Sequence, residues 1–85
     1  MRYTVVHDQI ALNALARYWM ILSDRQAVSA ASNEIDRLLR TMPDRCGVPS
    51  GDFRELTVHP LAALYVVSPA DCIVRVVSIM LLSQP

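Results

Sequence analysis

Three side chains of this sequence are of types that handle phosphates or carboxylates: Arg54 in FRELTV, Tyr65 in LAALYVV and Arg75 in IVRVVSI. A guanidinium offers a planar fork of N–H donors that matches either anion, and a phenol can give or take a proton. Each also has a plain structural role. Arg54 fits the rim of a hairpin, paired with Asp52 or Glu55. Tyr65 fits a core edge with its hydroxyl at the surface. Arg75 fits the solvent face of a half-covered sheet. Other chemistries are thinly provided. All eight basic residues are arginine, so no mechanism that needs a lysine operates here. His7 and His59 have no second His, Cys or Glu at ligand spacing, so no metal is expected. Gly47 and Gly51 are the only glycines, which excludes a glycine-rich phosphate loop, and no cofactor is expected. Ser29, Ser32 and Ser50 lack a Ser-His-Asp context.

Eighty-five residues bound the chain to one domain, 1–85, with a single small core. The composition is 53% hydrophobic and 19% charged, which is globular, and the formal net charge is zero. No overall field therefore steers the protein to nucleic acid. Cys46 and Cys72 are no CxxC pair and cannot build a disulfide framework, so two reduced thiols in a cytoplasmic protein are expected. The beginning, MRYTVVHD, lacks the apolar core of a signal peptide. The most apolar run, CIVRVVSIMLL at 72–82, is too short to span a bilayer and carries Arg75. It reads as a buried strand, and no membrane partner is expected.

The elements that must position the candidates follow from periodicity. Tyr3 to Val6 reads as a strand, and Asp8 as the cap of a helix with its apolar stripe at Leu12, Leu15, Trp19 and Leu22. Ser23 or Asp24 caps a second helix, with a stripe at Val28, Ala31, Ile35, Leu38, Leu39 and Met42. Asp36 and Arg40 stand four apart in the favourable acid-first order, and Pro43 ends the helix. The short connection predicts an antiparallel helical hairpin. Residues 43–52, PDRCGVPSGD, read as a surface loop. Phe53–Val58, Leu61–Val67 and Ile73–Leu82 then form an antiparallel meander, turning at His59-Pro60 and Ser68-Pro69-Ala70-Asp71. The expected fold class is α+β, in the order β-α-α-β-β-β, with the hairpin on one face of a small, mainly antiparallel twisted sheet.

That order, with ALNALARYW and DRQAVSAASNEIDRLLRTMP in the first half and FRELTV, LAALYVV and IVRVVSI in the second, resembles the RelE/ParE superfamily of bacterial toxins. The resemblance implies a toxin of a type II toxin–antitoxin module, held inactive by a cognate antitoxin. The RelE branch cleaves mRNA on the ribosome, and the ParE branch inhibits DNA gyrase. RelE-type cleavage uses basic side chains on the second, third and fourth strands, with a terminal tyrosine or another acid–base group. Carried over by position, Arg54 fits the second-strand basic residue. Ala62 and Ala63 stand where an arginine precedes the Leu-Tyr pair, Met80 to Leu82 where a further basic residue is found, and no terminal tyrosine follows. The expectation is a ParE-like growth inhibitor without the full RNase set. The alternatives are a ribosome-dependent mRNA endonuclease, with Arg54, Arg75 and Tyr65 as candidate catalytic residues, and a decayed toxin fold serving as a homodimeric interaction module. One further expectation comes from the residues themselves. The last two strands are apolar on both faces, and two helices cover only one. A partner, antitoxin or second copy, is therefore expected against Leu61, Ala63, Tyr65, Val77 and Ile79, with Arg54 and Arg75 beside them.

Overall fold

The computed structural model describes residues 2–21 and 24–82. The chain runs β1 (Thr4–His7), α1 (Gln9–Ile21), α2 (Arg25–Thr41), β2 (Val48–Ser50), β3 (Phe53–Val58), β4 (Leu61–Ser68) and β5 (Ile73–Leu81). One five-stranded sheet forms in the order β1-β5-β4-β3-β2. β1 lies parallel to β5, and the other three pairings are antiparallel. The α+β class and the helical hairpin on one face are as expected. No helix among the described residues is long and apolar enough to cross a membrane.

The local signals act as follows. Asp24 caps α2, its carboxylate accepting from the Ala27 amide at 3.0 Å, and Arg40 holds Asp36 at 2.7 Å. Asp8 behaves differently from the expected cap. Its backbone carbonyl accepts from Ala11 and Leu12, while its carboxylate lies 3.7 Å from Arg75 Nε. On α2 the stripe Val28, Ala31, Ile35 and Leu39 is buried, but Met42 is exposed. The stripe expected on α1 holds at Leu15 and fails at Leu12 and Trp19. Ala11 is fully buried, with Leu15 and Tyr18 packed against the core. Leu12 and Trp19 keep 42% and 43% of their surface in solvent. Leu22 and Ser23 lie outside the described residues. The reason is that Ile10, Met20 and Ile21 are apolar and exposed as well. A helix apolar around most of its circumference gives periodicity no face to choose.

Two departures occur in the sheet. The expected loop 43–52 contains β2, an edge strand pairing Val48 with Glu55 and Ser50 with Phe53. Pro49 is tolerated there because an edge strand need not donate on its outer side. In β5 the pairing steps from Leu64↔Ser78 to Tyr65↔Val76, passing over Val77. This bulge moves the alternation by one residue. Ile79 therefore joins Val74 and Val76 beneath the helices.

Candidate functional site

Alternation along the strands sorts the candidates onto two faces. On β3, Leu56 belongs to the core, so Arg54 shares its side, the helix side. Arg54 and Tyr65 are direct partners across β3 and β4. Arg75 lies between the buried Val74 and Val76 and so points to the opposite, open face. The three groups do not converge on one substrate.

Tyr65 is fully buried, which corrects the expectation of a surface hydroxyl. Its phenol lies 2.8 Å from the Pro43 carbonyl and 2.7 Å from the Cys46 carbonyl, with the Cys46 thiol 3.7 Å away. The ring thus ties β4 to the segment leaving α2. Burial pushes the phenol up to about 12, with Arg54 opposing the rise and Cys46 adding to it. A proton held that tightly, and out of solvent, is unsuited to acid–base work near neutral pH.

Arg54 is half-buried, and it is not a rim residue paired with Asp52 or Glu55. Its Nη2 donates to the Cys46 and Gly47 carbonyls at 3.3 and 3.2 Å, and its Nε is buried without a partner among the described residues. Gly47 makes this approach feasible. With φ +74° it adopts a left-handed conformation, and a Cβ there would stand 2.6 Å from the Glu55 carbonyl oxygen and 2.9 Å from the Tyr65 hydroxyl. Arg54, Tyr65, Cys46 and Gly47 therefore form a clamp on the chain's own backbone.

The expected partner surface divides in the same way. Leu61, Ala63, Tyr65 and Ile79 are 0–4% exposed beneath the helices, where the chain's own core takes up their side chains. Val77 is half-buried at the bulge, and Arg75 is exposed. The expectation of a second apolar face nevertheless matches the open side of the sheet. Val6, Val48, Phe53 and Met80 are exposed there, around half-buried Leu64 and Val66. The charged residues on that face of the strands are one cation, Arg75, and one anion, Glu55.

A second surface was missed by sequence reasoning. An open groove of about 600 Å³ runs between α1 and α2, lined by Leu12, Leu15, Trp19, Met20, Val28 and Ser32 among others. The Arg25 guanidinium stacks on Trp19, its carbon 4.6 Å from the ring centroid. No group of three or more His, Cys, Asp or Glu suited to a metal occurs among the described residues.

No protein-family model matches the chain, and no curated protein matches it. Solved structures do. The fold is similar to a chain of the toxin–antitoxin (TA) complex RelBE2 from Mycobacterium tuberculosis, with a TM-score of 0.77 and 16% identity over 99% of this chain and 95% of that one. It is similar to the chromosomal ParDE TA system from P. aeruginosa, with a TM-score of 0.70 and 17% identity over 96% of this chain and 98% of that one. The isolated E. coli RelE toxin also matches, with a TM-score of 0.66 and 15% identity over 98% of this chain and 87% of that one. The chain has the RelE/ParE toxin fold. At such identities the likeness establishes the fold, and function rests on the residues.

Proposed function

We propose that this chain is the toxin of a type II toxin–antitoxin module, neutralised by a small protein antitoxin, and that it arrests growth by binding a protein target such as gyrase rather than by cutting RNA. The fold supports the first half. The observation that carries the second is the separation and occupation of the candidate groups. Tyr65 is buried on backbone carbonyls, Arg54 is turned into the 46–47 backbone, and Arg75 is alone on the other face beside Asp8. Metal-free cleavage of a phosphodiester needs several donors around one phosphorus. Losing a single transition-state donor costs on the order of 10²–10³ in rate.

The antitoxin's seat is the groove between α1 and α2. An apolar trough flanked by helices takes the apolar face of an amphipathic segment, and Arg25 over Trp19 suits a carboxylate at its mouth. The test is expression of the chain alone and beside the product of the adjacent small reading frame. Growth arrest relieved by that product, with a complex that co-purifies, is the expected result. Trp19→Glu should weaken the complex at least about tenfold, with circular dichroism showing that the variant still folds, since Trp19 keeps 43% of its surface in solvent. A chain that neither arrests growth nor binds the neighbouring product contradicts the proposal.

A further inference from the structure

The open face of the sheet is a separate surface from the groove, and its pattern of charge says what it meets. Val6, Val48, Phe53 and Met80 are exposed on that side of the sheet, around the half-buried Leu64 and Val66, and apolar side chains grouped in this way mark a contact surface. Among the strand residues on that side, Glu55 and Arg75 are the only charged ones, beside the neutral Thr4, Ser50, Thr57, Ser68 and Ser78. Glu55 pairs with Leu64, and Arg75 with Val66. The two charges are thus two strands apart and two residues out of step. Strand spacing and rise put them about 12 Å from each other, beyond ion-pair reach within one chain. Leu64 and Val66 lie between them on β4.

A surface whose strands carry one cation, one anion and an apolar midpoint, with Asp8 just off β1 beside the cation, is complementary to itself. A two-fold axis lying in the interface, perpendicular to the line from Glu55 to Arg75 and passing between Leu64 and Val66, carries each charge onto its opposite. It also brings the Leu64–Val66 centres of the two copies together. The strands then cross steeply, as in orthogonally packed sheets. Asp8 does not occupy Arg75 fully. Its contact is a single one at 3.7 Å to Nε, and the arginine side chain keeps 59% of its surface exposed. Its terminal nitrogens remain available to a second carboxylate. The area is adequate as well. Five strands at about 4.8 Å and six residues at about 3.3 Å give a footprint of about 500 Å² per copy. Two copies reach about 1,000 Å², the lower bound for a specific interface.

We propose that the chain forms a two-fold dimer through the open face of its sheet, with Arg75 of each copy on Glu55 of the other. The proposal is independent of the toxin reading, because it uses neither the groove nor an antitoxin.

Sedimentation equilibrium of the full chain tests it. Wild type should be dimeric at micromolar concentration. Arg75→Glu and Glu55→Arg should each raise the dimer Kd at least about 100-fold, because either change sets two like-charged pairs across the interface. An equimolar mixture of the two variants should dimerise again, since both contacts in the mixed pair are then between opposite charges. The double variant should dimerise alone. Circular dichroism checks that each variant is folded. If a reversal variant fails to fold, Val66→Glu at the centre of the interface replaces it, with monomer as the expected result. A monomeric wild type, single variants as dimeric as wild type, or a mixture that stays monomeric overturns the proposal.

Discussion

Tyr65→Phe isolates the clamp, because it keeps the ring and its packing and removes only the hydroxyl. In wild type that hydroxyl is within 2.8 Å of the Pro43 carbonyl and 2.7 Å of the Cys46 carbonyl. The Cys46 carbonyl retains Arg54 Nη2 at 3.3 Å in the variant, whereas the Pro43 carbonyl loses this donor outright. One neutral hydrogen bond lost with one buried acceptor stranded corresponds to about 1–2 kcal/mol, the lower part of the range for such changes. An unfolding entropy of about 2.1 cal/mol/K per residue over 85 residues is about 0.18 kcal/mol/K. The melting temperature should therefore fall by about 6–11 °C. Hydrogen exchange should locate the loss, with the amides of 46–50 opening first while the centre of α2 keeps its protection. Arg54→Met should cost less, within about 1 kcal/mol. It removes two long hydrogen bonds but also relieves the buried, unpartnered Nε. A Tyr65→Phe variant within about 0.3 kcal/mol of wild type in urea denaturation, or Arg54→Met costing more than it, would refute the clamp.

Tyr65 also sets an alkaline limit. Its folded pKa, raised from 10.0 to about 12, means the folded state holds the proton more tightly. Stability from this source is full below pH 10 and is lost as pH rises through about 12. The urea midpoint should fall over that window in wild type, and less steeply in Tyr65→Phe. Gly47→Ala places a Cβ 2.6 Å from the Glu55 carbonyl oxygen at φ +74°, and thermal melting should show a loss of at least about 1–2 kcal/mol. Leu39→Ala empties a fully buried site in the last turn of α2 and should cost about 2–5 kcal/mol in the same measurement.

Much of the fold was legible in the sequence because its long elements carry clear periods, and the failures have specific physical causes. β2 was hidden because three residues with a central proline have no pattern of their own. Val48, Pro49 and Ser50 are in a strand only because β3 pairs with them. The bulge at Val77 had a readable sign. Arg75 and Ser78 are polar and three apart, yet both occupy the open face, which strict alternation forbids. Reading that spacing would have put Ile79 with the core. Arg54 and Tyr65 were singled out separately, with Arg75, and neither their pairing nor their role was legible. Their role depends on where residues 43–47 return over the sheet, a contact that no local spacing encodes.

The most direct test of a growth inhibitor that leaves RNA intact is mapping of mRNA 5′ ends across the transcriptome in cells expressing the chain. Growth arrest with no new codon-phased ends, in wild type as in Arg54→Ala and Arg75→Ala, is the predicted result. Codon-phased cuts that appear with wild type and vanish in either arginine variant would contradict it and make that arginine catalytic.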